Sequence, residues 1–163
     1  MAHTQETDPY EEAAAADRPF IAQVVLDCPH PRPLAEFYRE LLGYTYRPGD
    51  EPPAAGEPER NGDEWLVLRS PGGAGRDGRS LAFQRNADHR PAEWSAEEPL
   101  SPGGQRQMLH LDMVVPGTDA LVRQRERALA LGASLLFDRF DDEEEPLFVF
   151  ADPAGHPFCI FVG

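Results

Sequence analysis

The sequence predicts an α+β fold in which a βαβββ unit occurs twice in tandem, the two copies enclosing an inter-sheet cavity. Two observations and one physical argument carry that prediction. Apolar, β-branched runs and one strongly amphipathic stretch follow in the order strand, helix, strand, strand, strand. After a polar, proline-rich interval the same order begins again. A repeat of about 85–90 residues is too long for a solenoid and suits two units that pair. A lone four-stranded sheet with one helix leaves a face bare, so two units that cover each other are the stable solution.

The first unit opens on "FIAQVVLDC" (20–28), apolar and β-branched as a buried strand requires. In "LAEFYRELLG", Leu34, Phe37, Tyr38, Leu41 and Leu42 fall on one face of a helix. Pro33 suits the first turn and Gly43 the end. "YTY" (44–46), "DEWLVLRS" (63–70) and "RSLAFQRN" (79–86) supply three further strands, the last two joined by the glycine-rich "PGGAGRDG". The second unit starts with strand "MLHLDMVV" (108–115) and helix "PGTDALVRQRERALALG" (116–132), with Thr118 as N-cap. Arg125 interrupts the apolar face that Leu121, Ala128 and Leu129 share. Strands over 134–140, 146–152 and 157–161 complete it. The chain therefore divides into a flexible arm (1–19), a first module (20–86), a linker (87–107) and a second module (108–163), with 20–163 as one domain.

With 29 acidic against 15 basic residues the net charge is −14. Such a surface repels phosphate backbones and anionic lipid, which argues against nucleic-acid and membrane partners. No stretch approaches the roughly 18 apolar residues of a membrane span. The segment "MAHTQETDPYEEAAAADRPF" lacks the basic start and apolar core of a secretory leader, so a cytoplasmic protein is expected. Cys28 and Cys159 lie far apart without C-x-x-C spacing and read as free thiols of a reducing compartment. Phosphate-loop, nucleophile-elbow and H-E-x-x-H patterns are all missing, which argues against nucleotide-dependent and triad chemistry.

"VVLDCPHPRPLAEFYRELLGY", "MLHLDMVV" with the later "ALALGA", and "FADPAGHPFCIF", in that order, resemble the vicinal oxygen chelate superfamily, the glyoxalase/bleomycin-resistance/dioxygenase fold. The resemblance covers residues 20–162 and is nearest to actinobacterial-type glyoxalase-like domains. It implies a homodimer and a metal seat fed by the first and last strand of each unit. Matched to this chain, the four positions are Gln23, Ala82, His110 and Cys159. Ala82 and Cys159 stand where the family usually has Glu, and an alanine ligates nothing. The resemblance therefore implies a glyoxalase-like domain that binds a small, partly apolar organic molecule between the modules, with no catalytic metal and no cofactor. The alternative is a lyase, isomerase or dioxygenase holding zinc, iron or nickel at a degenerate site on His110, with Gln23 and Cys159.

Alternation along 108–115 puts His110, Asp112 and Val114 on one face and Leu111, Met113 and Val115 on the other. The wholly apolar set belongs against the helix, so His110 and Asp112 face the cavity. His110 is then a ligand contact, a base oriented by a carboxylate, or a histidine satisfied locally. The same parity turns Pro157, Cys159 and Phe161 inward; a nucleophilic Cys159 would need positive charge beside it. Gln23 shares its strand face with Val25 and Asp27 and offers a hydrogen bond to the cavity. Trp65 either stacks on a flat ligand or belongs to the core, and Trp94 in the linker could close over the cavity. His156 occupies a turn that tolerates unusual backbone angles, Asp152-Pro153 is turn punctuation, and His89 falls in a polar segment without a role. "DDEEE" (141–145) lacks calcium-loop spacing and reads as a solvated hairpin loop.

Overall fold

The computed structural model describes residues 19–59, 64–72, 79–94 and 101–163. Most of the expected arm, the middle of the glycine-rich loop and residues 95–100 of the linker lie outside them. Among the described residues ten elements follow in order: β1 (Gln23–Cys28), α1 (Pro31–Leu42), β2 (Thr45–Tyr46), β3 (Trp65–Arg69), β4 (Ser80–Arg85), β5 (Leu111–Val115), α2 (Thr118–Ala130), β6 (Ser134–Arg139), β7 (Leu147–Ala151) and β8 (Pro157–Val162).

They build two four-stranded sheets of the same design, β1-β4-β3-β2 and β5-β8-β7-β6. In each, the first strand pairs parallel with the last, and the remaining ladders are antiparallel. The repeat read from the sequence thus extends to strand order and direction.

Helix α1 begins at Pro31, whose missing N–H is no loss there, and stops at Gly43, which takes φ 67 and returns its N–H to the Arg39 carbonyl. Its apolar face, Leu34, Phe37 and Tyr38, is buried. Alternate residues of the strands meet helices: Leu26, Cys28, Leu66, Leu68, Leu81 and Phe83 in the first sheet, Phe148, Phe150, Phe158 and Ile160 in the second. These form one cluster, because α1 bridges the modules. Phe158 of β8 lies 5.9 Å from the Phe37 ring and 6.4 Å from Tyr38, and it stacks on Phe150 at 5.2 Å. Burial of such a ring is worth about 1.5–3 kcal/mol. The Arg127 guanidinium on α2 donates to the Glu40 carbonyl of α1, a second tie between units.

Several boundaries differ from the sequence reading. Strand β1 starts at Gln23, where its partner Ser80 starts, and leaves Phe20 and Ile21 exposed. Strand β5 starts at Leu111 opposite Phe158; the next partner back would be Pro157, which has no N–H to give a ladder. Helix α2 caps on Gly117, whose carbonyl takes the first helical bond from Leu121, and Thr118 is already inside the helix. Arg125 does interrupt the α2 face: its guanidinium lies 5.3 Å from the Phe148 ring centroid, while Leu129 is exposed.

Candidate functional site

His110 precedes β5, and the β5–β8 register sets Asp112 directly beside Cys159. One ligand atom from each of His110, Asp112 and Cys159 falls within 4.8 Å of the others. His110 Nε2 stands 3.2 Å from Asp112 Oδ1, and the Cys159 thiol is hydrogen-bonded to the same carboxylate. Burial, then the charge of Asp112, push that thiol up to about 11. Cys159 is accordingly a protonated donor at neutral pH, and the positive charge a nucleophilic cysteine needs is replaced here by negative charge. The parity read from the sequence holds, but the face is open: the His110 and Asp112 side chains are 42% and 58% exposed.

In the first module Gln23 is half-buried at the start of β1, on the face of Val25 and Asp27. Ala82 is fully buried between its register partners Val25 and Val67. Its methyl group rests among apolar neighbours and has no donor atom, so a four-position seat spanning both modules does not fit this chain. Trp65 is half-buried on β3 opposite Gln84. Trp94 packs on the second module, its ring 5.5 Å from Phe137 on β6.

At the meeting of the modules an open cleft of about 250 Å³ runs between β1, the linker segments either side of residues 95–100, and the starts of β5 and β8. Val25, Met108, Leu109 and Leu111 line its apolar side. Gln23, Trp65, His110, Asp112 and Cys159 are not on its wall, although Val25 shares a strand face with Gln23 and Leu111 adjoins His110.

Beside this cleft is a polar network that periodicity does not show. Asp152, nearly fully buried, accepts from the Tyr38 hydroxyl at 2.9 Å, from His156 Nδ1 at 2.8 Å, and from the backbone N–H groups of Ala154 and His156 at 2.8 and 3.0 Å. Four donors aimed at two oxygens demand the ionised carboxylate. Burial and then the Asp152 charge raise the Tyr38 hydroxyl well above its ordinary range, so it remains a donor. His156 must then carry its proton on Nδ1. Its ring lies 4.9 Å from that of His89, whose Nε2 is 2.9 Å from the Ala154 carbonyl. Three sequence readings are corrected here. Asp152 is a hub joining α1 of one module to the last turn of the other, His89 holds the linker to that turn, and His156 is fixed by its side chain. The left-handed backbone belongs to Gly155, at φ 91.

A family model described as a glyoxalase-like domain matches residues 23–161. Among solved structures, a glyoxalase/bleomycin resistance protein/dioxygenase family enzyme from Burkholderia phytofirmans superposes with TM-score 0.60 at 14% identity, covering 88% of this chain and 98% of its own. A glyoxalase/dioxygenase from Nostoc punctiforme gives TM-score 0.59 at 15% identity, with 99% and 98% covered. A lactoylglutathione lyase from Agrobacterium tumefaciens gives 0.53 at 13% identity, with 90% and 94% covered. At such identities the shared property is the fold. No curated protein matches the chain.

Proposed function

The chain belongs to the glyoxalase-like domain family of the vicinal oxygen chelate superfamily, and from that premise we propose that it binds a small, partly apolar organic molecule in the cleft between its modules, without a catalytic divalent metal. One observation carries this reading. Met108, Leu109 and Val25, exposed by 97%, 55% and 40%, stand together on the wall of a concavity. A single exposed apolar side chain signifies little, whereas several gathered in a cleft with polar neighbours characterise ligand sites. At about 250 Å³ the space suits a molecule below ordinary drug size. Family kinship by itself supplies no reaction. Metal-free binding is supported by Ala82 at one ligand position and by the way His110, Asp112 and Cys159 satisfy one another.

The convergence of those three side chains favours a second reading. Nitrogen, oxygen and sulfur donors within one module suit zinc, or less readily iron or nickel. A cation there would act as a Lewis acid on a substrate oxygen, as a lyase, isomerase or dioxygenase needs. A thermal-shift screen of a small-molecule library on untagged, chelator-treated protein separates the two. The leading reading predicts hits that stabilise by about 2.7 kcal/mol at one hundred times Kd and that survive chelation. Hits that require stoichiometric metal, and are lost with His110→Ala, would install the second reading instead. A library without any hit, both before and after zinc is added back, would contradict both.

A further inference from the structure

Resting on the small-molecule reading, we infer that the ligand is a small organic acid that also carries a hydroxyl or amine donor, its carboxylate taken by Arg90 and Arg106 and its donor by His156. The chain carries about two acids for each base, and several of its arginines are paired: Arg32 with Glu59, Arg47 with Asp50, and Arg139 with Asp142 and Glu145. Arg90 and Arg106 are the arginines that line the cleft. One lies on each linker segment, both line the cleft, and neither side chain has a partner among the described residues. An unpaired guanidinium keeps its planar fork of donors for a carboxylate brought from outside. The approach of an anion to a protein of net charge −14 is otherwise unfavourable, so the two arginines in the cleft lining are what draws one there, against Asp27 and Asp88 of the same lining.

The opposite chemistry lies on the same wall. His156 lines the cleft, and its Nδ1–H is committed to buried Asp152. In the neutral ring the one proton is thereby held on Nδ1, which leaves Nε2 as an acceptor with no partner among the described residues. The His89 ring packs alongside and restrains its tilt. Asp88 and Asp27 add acceptor oxygens, although Asp27 Oδ2 already receives the Asn86 amide at 3.0 Å. Arginine donors, histidine and carboxylate acceptors, and the apolar Val25 and Leu109 in one lining match a molecule having an anionic group, an apolar body and a donor group.

The test is an amide-detected NMR titration of the full chain with phenylacetate, phenylacetamide, phenethylamine and mandelate. Phenylacetate should bind roughly tenfold tighter than the uncharged amide, the effect of one charged hydrogen bond, and mandelate, which adds a hydroxyl, several-fold tighter again. The double variant Arg90→Gln/Arg106→Gln, altering two exposed side chains, should abolish the preference for acid over amide, read as the ratio of the two affinities. His156→Gln, checked by its amide spectrum to be folded, should collapse the ratio of mandelate to phenylacetate affinity while the preference for acid over amide persists. Equal binding of acid and amide, or a preference for the amine, would overturn the inference while the cleft remained a small-molecule site. Failure of all four probes would overturn it as well, and the library screen then decides separately whether the cleft binds anything.

Discussion

Asp152→Ala is expected to destabilise the protein by about 3–5 kcal/mol, read as a lower midpoint in urea with little change of slope. The carboxylate accepts from four donors in a nearly water-free position, and deletion strands the Tyr38 hydroxyl, two backbone N–H groups and the His156 ring at once. A hydrogen bond to a buried charge contributes more than a neutral one, and unpartnered groups left behind add their own desolvation cost. Tyr38→Phe removes one donor and leaves three, so about 1–2 kcal/mol is expected there. A cost below about 1 kcal/mol for Asp152→Ala would mean that the turn holds its shape without the network.

Gly155→Ala is the second large effect, at about 2–4 kcal/mol. The backbone there has φ 91, where an L side chain is strained, and an added Cβ would lie 2.4 Å from Pro91 Cβ and 3.0 Å from Pro91 Cα. Those atoms belong to or adjoin the backbone and cannot swing aside as the tip of a long side chain would. The glycine is thus what lets the linker lie on the last turn, alongside the His89 contact with Ala154. A thermal midpoint lower by roughly 5–15 °C is expected, along with a changed Trp94 emission as the linker shifts from Phe137. An unchanged midpoint would show that the linker does not pack where Pro91 now stands.

What the sequence disclosed, and what it did not, separates along one physical line. Patterns set by neighbours within one element were legible. The alternation of Leu111, Met113 and Val115 against His110, Asp112 and Val114 could be read directly, as could that of Phe158 and Ile160 against Cys159 and Phe161. The helical face of Leu34, Phe37 and Tyr38 was legible in the same way. Asp152 was not, because its decisive partner, Tyr38, lies 114 residues away, and an Asp-Pro step has the same appearance with or without a buried network. His89 and His156 were missed for that reason: their meaning comes from a linker folding back over 65 residues. The family-matched positions led to His110 and Cys159, which do converge, and Asp112 joins them through strand register. The cleft lies to one side of those positions because linker segments, which follow no period, build much of its wall.

The central claim is that the module junction receives a small organic molecule without help from a metal. Its most direct test is residue-resolved NMR of chelator-stripped protein titrated with the strongest library hit. Saturable shifts centred on the amides of Val25, Asp27, Leu111 and His156, unchanged by added zinc, are the predicted result. Shifts that emerge only after zinc is supplied, centred on His110, Asp112 and Cys159, would contradict it.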